Sequence, residues 1–261
     1  MDYFKKIEEN PYKDLAWNIP ERKQGVVSVL GGNSQNFRTV VKVAEFLQSK
    51  YPLRKTNVVL PGSLKGKIPM LPDFVFLSST DSGSFADAEE LKKNINETDC
   101  SLLVGDFSKN SITGKAVAGA CADSEKPLLI TRDAVDLIAE NTADRVLMNE
   151  HVMVFGSLVQ LQKILRAVYY PKMLLMSQSL VQVAEVLHKF TLSYPVSLIT
   201  LHNGRVLIAK NGQVMAVPLE MTGYSAITFW SGEASAKILA MNLYNPNNFV
   251  PATVSAIMTQ D

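Results

Sequence analysis

A chain of 261 residues with 47% apolar side chains can bury a sizeable core as one large domain or two small ones. Its 26 basic and 25 acidic residues leave a formal charge of +1, which gives no field favouring nucleic acid or an anionic membrane. Two cysteines without C-x-x-C spacing and three scattered histidines argue against a disulfide framework and against any metal site. No apolar run approaches the roughly 18–20 residues needed to cross a bilayer, so no membrane partner is expected. The opening "MDYFKKIEENPYKDL" has no apolar secretion core. A cytoplasmic location follows as the expectation, with Cys100 and Cys121 as buried thiols of a reducing compartment.

Residues 1–24 read as a lead-in segment, a short helix followed by the proline-broken "NPYKDLAWNIPERKQ". From Gly25 to residue 261 the pattern is that of one α/β domain. "GVVSVLGG" is a short β-branched run ended by glycines, as in a buried strand. "FRTVVKVAEFLQSKY" places Val40, Val41, Ala44, Phe46 and Leu47 for one helical face. Strands "TNVVLP" and "DFVFLSS" precede a helix at "DAEELKKNINE". "CSLLVGD" and "KPLLITRD" are strands alternating with helices "ITGKAVAGACADS" and "AVDLIAENT". "RVLMNE" reads as a strand, and "SLVQLQKILRAVYY" and "SLVQVAEVLHKFTLSY" as two amphipathic helices. "PVSLITLHNGRVLIAKNGQVMAVPL" supplies three strands, the last two joined by Asn211-Gly212, the preferred pair for a two-residue hairpin turn. A helix opens at "WSGEASAKILA", and another closes the chain from about Pro246. Such alternation predicts a three-layer α/β/α sandwich on a mostly parallel sheet, with a C-terminal antiparallel hairpin at its edge.

In such sheets ligands bind beyond the carboxyl ends of the strands. The residues expected there are Gly31, Gly32, Asn33 and Ser34, then Gly105, Asp106, Phe107 and Ser108, then Thr131, Arg132 and Asp133. Asn149, Glu150 and His151 follow "RVLM", and His202, Asn203 and Gly204 follow "SLITL". Ser231, Gly232 and Glu233 open a helix, where free backbone N–H groups and the helix dipole can hold an anion. Each has a plainer reading. Glu233 suits the first turn of a helix capped by Ser231. Gly105 with Asp106, and Asp133, suit helix caps, and His202-Asn203-Gly204 suits a hairpin turn.

The order and spacing of these junctions resemble the ribokinase-like superfamily, and within it the ADP/ATP-dependent NAD(P)H-hydrate dehydratases of carbohydrate-kinase type. "VVSVLGGNSQNF" is similar to that family's strand ending in a GGS-like turn. Gly105-Asp106-Phe107-Ser108 stands at its G-P-G-L turn. "KPLLITRDAVDLI" keeps Asp133 and Ala134 of its D-A-D-A-L, with Thr131 at the first acid. "MNEHVMVF" keeps His151 of its T-P-H-x-x-E. The hairpin "LITLHNGRVLIAKNGQV" puts His202 at a lysine and Asn203 at a glycine. "WSGE", Trp230 to Glu233, aligns with the G-T-G-D signature. The resemblance spans about Gly25 to Met258.

The resemblance implies that Ser231 and Gly232, with His202 and Asn203, bind an adenine nucleotide (ADP or ATP) together with Mg2+. It makes Glu233 the catalytic carboxylate, and Gly32, Asn33, Gly105, Asp106 and His151 the contacts to hydrated NAD(P)H. Family members commonly oligomerise, so a homo-oligomer is expected. Trp230 for glycine, Asp106 in the mid-chain turn, His202 for lysine and the longer Glu233 all depart from the pattern. Misplacement of a reacting group by about 1 Å can cost about 10²-fold. The expectation is therefore a dehydratase-like protein with weakened or altered catalysis. The rivals are a catalytically inactive binding or assembly module on the same scaffold and a kinase of vitamin-precursor type.

Overall fold

Short apolar runs bounded by turn residues form one ten-stranded sheet in the computed structural model, which describes residues 2–259. The strands are β1 (Phe4–Lys6), β2 (Val26–Leu30), β3 (Lys55–Pro61), β4 (Phe74–Leu77), β5 (Cys100–Leu103), β6 (Leu128–Thr131), β7 (Val152–Phe155), β8 (Ser197–His202), β9 (Arg205–Lys210) and β10 (Gln213–Pro218). The helices are α1 (Arg38–Lys50), α2 (Ala88–Asn96), α3 (Ser111–Ala122), α4 (Asp133–Glu140), α5 (Ala143–Leu147), α6 (Leu158–Ala167), α7 (Leu180–Ser193), α8 (Glu233–Tyr244) and α9 (Phe249–Met258). The spatial order is β1-β10-β9-β8-β7-β6-β5-β2-β3-β4, and β9 alone runs against its neighbours.

Helices cover both faces, giving the expected three layers. On one face, α1, α8 and α9 pack through Val40, Leu47, Ile238, Leu239, Val254 and Ile257. On the other, α2 to α7 pack through residues such as Leu91, Val117, Val135, Leu161 and Val183. In α1 the buried stripe is Val40, Val43, Ala44 and Leu47, the i, i+3, i+4, i+7 spacing that one helical face requires. Val43 thus joins the core, while Val41 and Phe46 lie at its margin. Helix α8 differs: every residue from Ala234 to Asn242 is buried, because α1, α9 and the sheet enclose it on all sides.

Three local expectations change. The first residues form not a helix but the short parallel strand β1, because β10 offers it an open edge; Arg205 of β9 also pairs with Glu8 at 2.8 Å. The β9–β10 hairpin is therefore one strand in from the edge. "RVLMNE" is not a strand: Ala143, Val146 and Leu147 face the core from α5, and the next strand is "VMVF", β7. Asn149 between them donates to the carbonyls of Cys121, Ala122 and Ser124, tying the turn to the end of α3. Helix α9 begins at Phe249, three residues after Pro246. Among the described residues no helix is long and apolar enough to cross a membrane.

Cys100 and Cys121 are both fully buried, and burial pushes both thiols well above the usual thiol range, with Asp99 adding to the effect at Cys100. The native protein should therefore resist a thiol reagent at about pH 8 and titrate two thiols only after denaturation. Rapid labelling of either cysteine in native protein would contradict this placement.

Candidate functional site

Three of the predicted junctions meet at the carboxyl ends of β2 and β5. The backbone passes so close there that a Cβ on Gly31 would stand 1.9 Å from the Val104 carbonyl oxygen. A Cβ on Gly105 would sit 3.5 Å from Val40 and 3.7 Å from Thr39. Gly232, with φ +114, faces the same helix, and its Cβ would lie 2.6 Å from Val43 Cγ2. The start of α8 is thus wedged against the first turns of α1 and the end of β5.

The segment leading into α8 is locally fixed. Ser225 N–H donates to Thr228 Oγ1 at 2.8 Å and Thr228 N–H donates to Ser225 Oγ at 3.1 Å, closing a 3-10 turn at Thr228–Trp230. Trp230 then joins an aromatic cluster, its ring centroid 4.9 Å from Phe155 in a tilted contact and 5.2 Å from Phe229 edge to face. The indole is anchored over the end of β7, and the atoms nearest Gly232 belong to Val43, Val104 and Thr39. Gly232 caps α8 without a side-chain hydrogen bond, so Ser231 is not the cap, and both Ser231 and Glu233 are exposed. At the start of α8, Ser231 and the Glu233 side chain face solvent, while Gly232, Ala234 and Ser235 are buried beneath them.

Beside it lies a cavity of about 290 Å3, lined by Gln35, Asn36, Phe37, Arg38, Thr39 and Asp106. Helix α1 also starts without a side-chain cap, so a second helix N-terminus faces this space. Asp106 is not a helix cap, since α3 begins later and is capped by Asn110. Its Oδ1 accepts from Arg132 Nη2 at 3.0 Å. Arg132 holds φ 51 and ψ −127, a region that side chains with a Cβ rarely adopt, and its carbonyl accepts from Gln160 Nε2 at 2.8 Å. Asp133 is the first residue of α4 rather than its cap, and its Oδ2 accepts from Phe107 N–H at 3.1 Å. Thr131 Oγ1 donates to the Leu103 carbonyl. The polar groups at the β5 and β6 ends thus bond largely to one another.

The remaining predicted residues are dispersed. Gly32 and Asn33 do lie at the β2 end, but Asn33 Oδ1 already accepts from Gln35 N–H at 2.9 Å and Asn36 N–H at 3.0 Å, forming a local turn. His202 ends β8 on the same pole, yet its ring points to the α7 face, where Nε2 meets the Gln178 carbonyl at 2.8 Å. The sheet therefore separates it from α8. Asn203 occupies the hairpin turn with φ 46. His151 stands at the amino end of β7, the opposite pole, because the strand follows it rather than precedes it. The first turn of α1, with Arg38 and Thr39, was not anticipated in the site; an uncapped helix start after "GGNSQN" is the signal that could have shown it.

No protein-family model matches the sequence, and no curated protein matches it. Solved structures share its architecture. One is a ribokinase-like superfamily protein of Enterococcus faecalis, with TM-score 0.67 and 14% identity, covering 99% of this chain and 86% of that one. Another is a Bacillus subtilis member of the UPF0031 family, with TM-score 0.58 and 13% identity over 95% of this chain and 85% of that one. A third is a Bacillus subtilis pyridoxal kinase solved with ADP, with TM-score 0.50 and 11% identity over 91% and 89%. The fold of this chain is ribokinase-like.

Because Gly232 combines a positive φ with close contact to Val43, Gly232→Ala should destabilise the protein by roughly 2–4 kcal/mol. Urea denaturation measures this directly, and a loss below about 0.5 kcal/mol would mean that α8 does not start in this conformation.

Proposed function

We propose that this chain is a divergent adenine-nucleotide-binding protein whose chemistry is of the NAD(P)H-hydrate dehydratase type, with weakened catalysis. The carrying observation is the start of α8: amides without a side-chain cap, an exposed Glu233 and the close-packed Gly232 beside the 290 Å3 cavity at α1. An uncapped helix start favours a phosphate through its dipole, and the exposed Ser231 can donate to it. The ADP-bound pyridoxal kinase of similar fold supports the same ligand class.

A bound ATP or ADP would supply phosphoryl-transfer chemistry, with its phosphates at the exposed edge of the α8 start, beside Ser231 and Glu233. Glu233 would take the proton from the hydrate's hydroxyl as that oxygen attacks the terminal phosphorus and the bridging P–O bond breaks to release the shortened nucleotide. Loss of phosphate from the phosphorylated hydrate would then complete the removal of water. Gly105 and Thr39 border the acceptor side, where Arg132 pairs with the Asp106 carboxylate. Among the described residues no group of three acidic, histidine or cysteine side chains could hold a metal, so Mg2+ belongs with the nucleotide rather than with a protein site of its own.

One observation favours a second reading, a binding module without turnover. Asp106 places a carboxylate in the wall of the acceptor cavity, and the neighbouring polar groups are mutually bonded. The two readings separate by experiment. Under the first, ADP or ATP raises the melting temperature, by about 2.7 kcal/mol of stabilisation at a hundredfold excess over Kd. Recovery of NADH absorbance from its hydrate should then fall about 10²–10⁴-fold in Glu233→Gln. Nucleotide stabilisation with no turnover above Glu233→Gln selects the binding module, and no stabilisation by either nucleotide removes both.

A further inference from the structure

A second cavity of about 570 Å3 lies at the opposite pole, where the parallel strands begin, and its wall includes Glu150, His151, Lys210, Asn248, Phe249 and Val250. Lys210 ends β9 with its Nζ 5.2 Å from the centroid of the Phe249 ring. The side chain is part-buried, and burial lowers its pKa from the usual lysine range, an effect that the Glu150 carboxylate opposes. No carboxylate of the described residues comes within 4.0 Å of that ammonium. Lys210 is thus a part-buried cation with no ion pair within that distance among these residues, and Glu150 acts on it only at longer range.

The same wall holds a second source of positive potential. Helix α9 starts at Phe249, and its cap residue Asn248 makes no side-chain hydrogen bond to it. The amides of Phe249 and Val250 therefore present the positive end of a ten-residue helix to the cavity that also holds Lys210. Ser197, set opposite Lys210 one register step beyond the Leu198–Ala209 pair, is buried behind the strand end and does not line the cavity. Among the titratable residues lining the cavity, Glu150 is the single acid, His151 and Lys210 the others. Phe249, Val250, Pro246 and Pro251 supply an apolar surface around this polar centre.

We propose that this cavity binds a small organic oxyanion, with its carboxylate or phosphate between Lys210 Nζ and the first amides of α9 and its apolar body against Phe249. A volume of about 570 Å3 is in the usual range for a small-molecule site. The anion compensates two positive groups that otherwise face each other across the cavity, and the bond to Lys210 is charge-assisted. Glu150, exposed on the same wall, opposes it and limits the affinity. The site is independent of the start of α8, which lies at the other pole.

The test uses the full chain, with phenyl phosphate and benzoate as probes and benzyl alcohol as the neutral control, all at constant ionic strength. Calorimetry should show saturable binding of at least one anion below ~10 mM and none of the alcohol; which anion wins distinguishes a phosphate ligand from a carboxylate one. Lys210→Met keeps the length of the side chain and removes an unpaired charge, and it should weaken binding about tenfold or more. Glu150→Gln should tighten it, a readout that stands even if the lysine variant folds poorly. The melting-temperature response to ADP should be the same in all three proteins. Equal anion affinity in wild type and Lys210→Met, unchanged affinity in Glu150→Gln, equal binding of benzyl alcohol, or no saturable anion binding would each overturn the proposal.

Discussion

The close approach of β2, β5, α1 and α8 at three glycines is the constraint on which the rest depends. With Gly31 almost touching the Val104 carbonyl and Gly232 pressed on Val43, the first turn of α8 can stand directly over the strand ends. A Cβ at Gly31 would push β2 from the end of β5, and one at Gly232 would push the start of α8 from α1. That helix is buried from Ala234 to Asn242, so its axis is held on every side and its start cannot drift. The exposure of Glu233 is then a consequence of geometry: it is the first residue to emerge from a helix that is otherwise core.

Much of the layering was legible because each strand is a short apolar run closed by turn residues, and each long helix carries a stripe at helical spacing. Where reading failed, the missing information was tertiary. "FKK" has neither length nor apolar alternation, and it becomes β1 only because β10 leaves an edge to pair with. "RVLMNE" and "VMVF" are adjacent apolar runs of similar composition, and pattern alone cannot tell which enters the sheet. The carbonyl bonds of Asn149 decide it, by fixing the turn between them. That single misassignment carried His151 to the wrong end of the molecule.

That Gly32, Gly105, Gly232 and Glu233 gather at one pole was legible, because glycines mark the ends of β2 and β5 and the start of α8. His202 shows the limit. Its position along β8 is readable, but the face to which its ring turns follows from alternation within a strand whose register is set by β7 and β9. Arg132 is a different case. Nothing local favours an arginine at φ 51, and the Asp106 ion pair and the Gln160 hydrogen bond that hold it there come from segments 26 and 28 residues away.

Helices α8 and α9 place their positive ends at opposite poles, and the charges beside them differ in sign. At α8 the dipole already faces Glu233, and Asp106 stands nearby against Arg132. The local field at that helix start is therefore a balance of dipole, acids and one arginine rather than a uniformly positive pocket. At α9 the dipole faces Lys210, whose charge adds to it, while Glu150 on the same wall offsets part of that field. One fold therefore presents two helix starts with different charges beside them, Glu233 in one case and Lys210 in the other.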